Sequence, residues 1–94
     1  MDTIVKAVPL EDYRIDIVTS SGISGIFDVK PYLGGGAFKE LLDKSYFSMV
    51  RPAHHGIAWP HEQDFSSDTI ICDMQAYQLI FQKHQNTLIY FWAE

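Results

Sequence analysis

The sequence predicts a two-layer α+β domain, and three observations lead to this prediction. Near the N-terminus, Tyr13, Ile15 and Ile17 alternate with less apolar neighbours, the period of two that a half-buried strand requires. Later apolar residues recur at helical spacing. The chain has 94 residues, of which 47% are hydrophobic, enough for one packed core but too few residues for two.

The N-terminal part is expected to form an antiparallel meander of three strands. The first strand covers residues 4–9, and Leu10-Glu11-Asp12 forms the turn into the strand that begins at Tyr13. Ser20-Ser21-Gly22 forms the second turn, where glycine can adopt a positive φ. The third strand covers residues 23–29.

A short helix is predicted over residues 37–44, after Pro31 and the Gly34-Gly35-Gly36 run have ended the meander. Phe38, Leu41 and Leu42 stand at i, i+3 and i+4, which places them on one helical face. The helix has about two turns, so it depends on packing against the sheet.

Two further strands and a second helix follow this segment. The strands are predicted over residues 46–51 and 57–59, joined by a turn at 53–56, and we expect them to pair. The second helix is predicted over residues 67–77. Asp64, Ser66 and Ser67 are its three alternative N-caps, since each side chain offers an oxygen to free backbone N–H groups.

The last part of the chain leaves two assignments open. Leu79, Ile80 and Phe81 fit a continuation of the second helix, whereas the run from Leu88 to Trp92 fits a strand. The pattern alone does not decide whether this aromatic C-terminal element is helix or strand.

Charge and composition exclude several classes of protein. Seven basic and twelve acidic side chains give a formal charge of −5, which disfavours direct binding to nucleic acid. Cys72 is the only cysteine and lies in an apolar run, so we expect a buried thiol in a reducing compartment. No signal peptide or membrane span is recognisable, which predicts a cytoplasmic protein that binds no membrane.

Residues 4–71 carry ordered motifs that resemble one protein family. The opening hairpin is followed by Phe27-Asp28-Val29-x-Pro31-x-Leu33 and then by Ile57-x-Trp59-Pro60-x-x-x-Asp64-Phe65-x-x-Asp68, with Phe38, Leu41, Phe47 and Val50 at fitting intervals between them. Together they resemble the small, mostly bacterial family known as domain of unknown function 2442.

The resemblance implies a two-layer α+β fold and brings no established activity. Family members look like partners in two-gene modules, which suggests a regulatory or antitoxin-like role. This sequence departs from the family at Glu62, where the family prefers an Asn-Gly type turn, and in the tail after about Asp73. We therefore expect one domain over residues 1–94, with a family-like core over 1–72 and an extension over 73–94.

The polar residues on either side of the predicted strand 57–59 are the main candidate for chemistry. His54, His55, His61 and Asp64 supply imidazole and carboxylate groups, which are good ligands for divalent metals. Their spacing does not form a preformed chelate, and adjacent histidines in a strand would point to opposite faces. We predict no native metal and no cofactor, and regard these residues only as weak metal candidates.

Three other chemical readings are weaker than their structural alternatives. A hydrolytic triad can be drawn from Ser66 or Ser67 with His54 and Asp64. The sequence has no nucleophile elbow around these serines, which are explained more simply as helix caps. Cys72 is expected to be buried and therefore unreactive. The glycine run at 34–36 lacks the lysine and spacing of a P-loop and serves to reverse the chain.

Trp59, Pro60 and Asp64 are interpreted as a structural motif. Pro60 ends a strand, the following residues turn the chain, and Asp64 caps the second helix. Trp59 is expected to be buried against that helix rather than to act as a binding hot spot.

The aromatic residues near the C-terminus are the candidates for an interface. An aromatic-rich segment without a family counterpart suits contact with a second copy or with another protein, and completion of its own core is an equal alternative. The residues are Tyr77, Phe81, Tyr90, Phe91 and Trp92.

The predicted function is that of a non-enzymatic protein-binding or regulatory module that forms a homodimer. Its sharpest form is the acidic, antitoxin-like member of a two-gene module, with a small basic protein as the partner. The alternative is a small metal-dependent or hydrolytic enzyme that uses His54, His55, His61 and Asp64.

Overall fold

The computed structural model describes residues 2–76 and has an α+β fold with two antiparallel sheets of three strands each. The first sheet is the predicted meander. Its strands are β1 (Ile4–Pro9), β2 (Arg14–Thr19) and β3 (Ser24–Asp28), in the order β1-β2-β3. The turn between β1 and β2 contains Asp12 and Tyr13, both with positive φ of 63° and 56°.

Alternation along the meander separates a core face from an outer face. Ile15, Ile17 and Phe27 are fully buried, and the register pairs Ile15 with Phe27. Asp16 stands between the two isoleucines and is paired with Ile26 on the opposite face. The period of two in the sequence therefore corresponds directly to the inside and outside of this sheet.

The segment after the meander differs from the prediction. Two 3-10 helices span Lys30–Tyr32 and Gly36–Leu42. Because a 3-10 helix has three residues per turn, Phe38 and Leu41 align, and Leu41 is fully buried. Leu42 lies off this line and is 49% exposed, so its predicted place on the same apolar face is wrong.

The strand predicted over residues 46–51 is also wrong in its first part. A short α-helix, α1 (Lys44–Phe47), occupies this place. The Asp43 carboxylate caps it by accepting hydrogen bonds from the backbone N–H groups of Ser45 (3.0 Å) and Tyr46 (3.4 Å). Asp43 is a typical N-cap and therefore indicates a helix start, whereas the adjacent aromatic residues Tyr46 and Phe47 favour a strand.

The second sheet contains one strand more than predicted. Its strands are β4 (Arg51–Ala53), β5 (Gly56–Ala58) and β6 (Asp64–Ser66), in the order β4-β5-β6. The predicted pairing of the two strands around the histidine turn is confirmed as β4 with β5, although β4 is shorter and later than predicted. β4 lies beside β1 of the meander.

A second helix, α2, covers residues 67–76 of the described chain, in agreement with the prediction up to that point. Ser66 caps it, because its Oγ accepts a hydrogen bond of 3.2 Å from the backbone N–H of Thr69. Ile70 and Met74 stand at i and i+4 and are both buried. Cys72 lies between them on another face and is exposed, so the prediction of a buried thiol is wrong.

The core is one cluster to which the meander, the 3-10 segment, α1, the second sheet and α2 all contribute, and Phe65 of β6 occupies its aromatic part. The ring of Phe65 lies 5.1 Å from Phe27, 4.9 Å from Tyr32 and 5.0 Å from Phe38, measured between centroids. Within residues 2–76, no helix is long and apolar enough to cross a lipid bilayer.

Candidate functional site

The side chain of Trp59 is part of the core. It is 1% exposed, and its indole N–H donates a hydrogen bond of 2.9 Å to the carbonyl oxygen of Phe47. A buried indole needs such a partner, because an unpaired N–H in an apolar environment is costly. This geometry leaves Trp59 without the surface that a binding hot spot requires.

Asp64 does not cap the second helix. It is the first residue of β6, paired with Ala58 of β5. The loop that follows Trp59 therefore returns the chain into a third strand before the helix starts at residue 67. Ser66, another of the three candidates, caps the helix instead.

The loop that joins β5 to β6 is closed by its own backbone. The N–H of Trp59 donates to the carbonyl oxygen of Gln63 (3.0 Å), and the N–H of Glu62 donates to the carbonyl oxygen of Trp59 (3.1 Å). Glu62 has a φ of 74°, in the left-handed region. A residue with a Cβ is strained in this conformation, which explains the value of a small Asn-Gly type turn at this place.

Gln63 organises a polar network that no pattern in the sequence predicts. Its side chain is buried, with the residue 5% exposed, and its Oε1 accepts a hydrogen bond of 2.5 Å from the Tyr46 hydroxyl. Its Nε2 donates to the backbone oxygen of Ala37 (3.1 Å) and to Oε1 of Glu40 (2.8 Å). The amide of Gln63 thus ties the β5–β6 loop to the 3-10 helix and to α1.

His61 belongs to the same network. Its Nδ1 lies 2.7 Å from Oε2 of Glu40, and its ring stacks on Tyr46 with 5.2 Å between centroids. The backbone N–H of His61 also donates to the Tyr46 hydroxyl oxygen (2.9 Å). Through these contacts His61 fixes the β5–β6 loop against Glu40 and Tyr46, which is a structural role.

His54 and His55 form a second, separate feature. They lie in the turn between β4 and β5, and their ring centroids are 4.2 Å apart. The predicted turn is confirmed here, and because the residues are not in a strand, their rings are not directed to opposite faces of a sheet. With Asp64 and Ser66 they line an open pocket of about 290 Å³.

The pocket beside the histidines has few potential metal ligands close together. Among the described residues, no three His, Cys, Asp or Glu side chains come close enough together to hold a metal ion. The carbonyl oxygen of His55 accepts from both the backbone N–H (2.8 Å) and the Oγ (3.2 Å) of Ser67. Ser67 therefore fixes the histidine turn to the start of α2, as expected of a structural serine.

A larger open groove, of about 860 Å³, lies beside the tip of the β1–β2 hairpin. The Tyr13 ring meets Phe47 edge-on at 5.4 Å, and its hydroxyl donates to the carbonyl oxygen of Leu42 (2.6 Å). Lys30 donates to the Asp12 carboxylate (2.9 Å), and this hydrogen bond lowers the pKa of Asp12 and raises that of Lys30. Asp12, which lines the groove, is therefore already paired with a base outside it.

The outer face of the meander is the candidate binding surface. Val8 and Ile26 are 42% and 43% exposed, and each is paired with Asp16 of the middle strand. Asp16 forms an ion pair of 3.1 Å with Lys6. We call Lys6, Val8, Asp16, Val18 and Ile26 the outer face.

The predicted interface residues near the C-terminus lie outside the described part of the chain. These are Tyr77, Phe81, Tyr90, Phe91 and Trp92. They remain a sequence-based prediction.

Comparison with known proteins places the chain in a family without an assigned activity. No curated protein matches it, and no solved structure matches it. The family described as "protein of unknown function (DUF2442)" matches residues 4–72, the range in which the motifs around Phe27 and Trp59 were recognised. Since this match covers well over half of the sequence, the chain belongs to the DUF2442 family.

Proposed function

We propose that this protein is a non-enzymatic, cytoplasmic protein-binding module that acts in regulation through the outer face of its meander. The observation that carries the proposal is the pair of aliphatic side chains, Val8 and Ile26, that stay more than two-fifths exposed on one sheet face. Exposed aliphatic side chains gathered on one face favour burial against another protein.

The charges of the outer face suit a protein partner. The Asp16 carboxylate between Val8 and Ile26 is matched by the Lys6 ammonium, so a partner that covers the centre does not bury a lone charge. The whole chain carries a formal charge of −5, which attracts a basic partner over long range. The sharpest form of the proposal is therefore an antitoxin-like module with a small basic protein as its partner.

A homodimer is part of the proposal, with the aromatic residues after residue 76 as its contact. The sequence supports this assignment because those residues have no counterpart in the family motifs. Sedimentation equilibrium should give twice the mass of one chain. A monomer at micromolar concentration would remove the dimer and leave the outer-face proposal in place.

Capture of the partner tests the outer face. Full-length protein retrieved from its native cells should bring down a small basic protein, and Ile26→Lys should reduce the amount about tenfold because it introduces a charge into the centre of the interface. Met49→Lys is the matched control, since Met49 is also exposed, at 54%, but lies outside the outer face. Equal capture by both variants, or capture of no basic protein, would contradict the proposal.

Metal analysis separates this function from the enzymatic alternative. The pocket lined by His54, His55 and Asp64 is the feature that favours a metal-dependent enzyme. Protein purified without an affinity tag should contain less than about one-tenth of an equivalent of any transition metal, since too few ligands converge there. One equivalent of bound metal in the native protein that is lost in the double variant His54→Ala and His55→Ala would favour the enzyme instead.

A further inference from the structure

β3 is an open edge within the described part of the chain. Its residues Ser24–Asp28 pair with β2 on one side, and no other strand among residues 2–76 pairs with it. The opposite edge of the meander is different, because β4 lies beside β1. An open edge presents backbone N–H and C=O groups that a further strand can pair with.

β3 lacks the features that usually protect such an edge. It contains neither proline nor lysine, and Asp28 at its end is its only charged residue. β4, in contrast, is a three-residue strand that contains both Arg51 and Pro52. Ile26 in the middle of β3 is 43% exposed. These properties are typical of a strand that is covered by a neighbour.

The end of α2 lies close to this edge. A Cβ added to Gly25 of β3 would come 3.1 Å from the Sδ of Met74. Residue 76, the last that the structure describes, therefore follows Met74, which contacts β3, by only two residues. Gly25 also carries no side chain of its own, and aromatic residues on an adjacent strand are known to cover such an edge glycine.

We propose that Leu88–Trp92 of the same chain docks on the open edge of β3 as a fourth strand. This segment has five residues, as β3 has, and consists of Leu, Ile, Tyr, Phe and Trp, most of which are favoured in strands. The connecting residues 77–87 can span about 36 Å. Because only eleven residues join the segment to α2, its effective concentration at its own edge is about millimolar, which favours this edge over that of a second copy.

Docking would also enlarge the outer face. Alternate side chains of an added strand point to opposite sides of a sheet, so two or three of these five would stand beside Ile26. That consequence rests on the proposed function, whereas the docking itself concerns this chain alone. Of the aromatic residues proposed for the dimer contact, Tyr77 and Phe81 lie outside the added strand and stay available to a second copy.

Amide exchange in the full chain tests the docking. Successive N–H groups of β3 point alternately toward β2 and toward the open edge. The hydrogen bond from the Thr19 N–H to the carbonyl oxygen of Ile23 shows that Ile23 faces β2, so the N–H groups of Ser24, Ile26 and Asp28 point to the open edge. Tyr90→Pro, which removes an N–H from the added strand and fixes its φ, should speed exchange at Ile26 at least about tenfold. His84→Pro in the connection is the matched control and should leave Ile26 unchanged.

The amide of Ile17 reports whether the meander stays folded, and its exchange should be the same in all three proteins. Equal exchange at Ile26 in the native chain and in Tyr90→Pro overturns the docking. Partner capture does not enter this measurement, so its outcome is independent of the proposed function.

Isotope-filtered NMR identifies the source of the strand. Contacts between residues 24–28 and 88–92 should appear in uniformly labelled protein and be absent between chains in a mixture of labelled and unlabelled protein. Contacts found only between chains would assign the edge to a second copy and overturn the proposal.

Discussion

At Glu62 the residue type and the backbone conformation disagree. Its φ of 74° lies in the left-handed region, which costs a residue with a Cβ about 1–2 kcal/mol. The loop is nevertheless held closed by two backbone hydrogen bonds to Trp59 and by the Gln63 network. The surrounding contacts thus impose a conformation that glutamate itself does not favour.

Glu62→Gly should therefore stabilise the fold by about 1 kcal/mol, since relief of the strain exceeds the greater freedom of glycine in the unfolded chain. Urea denaturation should show a higher midpoint with an unchanged slope. Glu62→Ala is the control, because it removes the side chain but keeps the Cβ and hence the strain. A gain of equal size in Glu62→Ala would mean that the side chain, and not φ, is responsible.

The polar residues of the same loop show why the site could be predicted only in part. Burial of Trp59 followed from its size and from its place at a strand end. The roles of Gln63 and His61 depend on Glu40 and Tyr46, which are about twenty residues away in the chain. No local pattern encodes a contact over that separation, so the sequence indicates a weak metal candidate at His61 and not a partner of Glu40.

At the scale of elements, β5 and β6 leave no room for a side chain at Gly56. A Cβ at this position would lie 1.9 Å from the carbonyl oxygen of Phe65, an atom of the backbone that cannot turn away. Gly56 is paired with Ser66 in the sheet. The second sheet therefore requires glycine here because of the space, not because of φ.

Gly56→Ala should destabilise the protein by about 3 kcal/mol, because the added methyl group forces the two strands apart. Gly34→Ala is the matched control, since no heavy atom lies within 4 Å of its added Cβ, and it should change the unfolding free energy by less than about 0.5 kcal/mol. Thermal or urea unfolding measures both. Similar values for the two variants would show that β5 and β6 can separate without cost.

The elements that were predicted correctly are those with a clear period. The meander alternates over three strands, and Ile70 and Met74 mark the buried side of α2. The region from Asp43 to Val50 has no such period, and Tyr46 and Phe47 favoured a strand although the Asp43 cap starts a helix. β6 was missed because Asp64 and Ser66 are equally typical of helix caps, and only pairing with β5 distinguishes the two.

At the scale of the whole molecule, one polar contact joins the meander's C-terminal connection to α2. The Tyr32 hydroxyl donates a hydrogen bond of 2.5 Å to the Asp73 carboxylate. Tyr32 also packs its ring against Phe65 in the core. The contact therefore links the segment after the meander to α2 at the edge of the aromatic cluster.

The Asp73 carboxylate raises the pKa of Tyr32 from 10.0 to about 12, first through this hydrogen bond and then with help from burial. A group whose pKa is higher in the folded chain stabilises the fold below its unfolded pKa and loses that effect as the pH rises through the folded value. The stabilisation from this contact should thus be complete at neutral pH and decline between about pH 10 and pH 12.

Tyr32→Phe should lower the free energy of unfolding by about 1 kcal/mol at pH 7, because it removes the hydrogen bond and keeps the ring in the cluster. The difference between the native protein and Tyr32→Phe should then shrink as the pH rises above 10, since the native contact is itself lost there. Urea denaturation of both proteins at pH 7, 10 and 11 measures the difference directly, and groups common to both cancel. If this difference in unfolding free energy stays constant from pH 7 to pH 11, the hydrogen bond from the Tyr32 hydroxyl to Asp73 does not stabilise the fold in the way proposed.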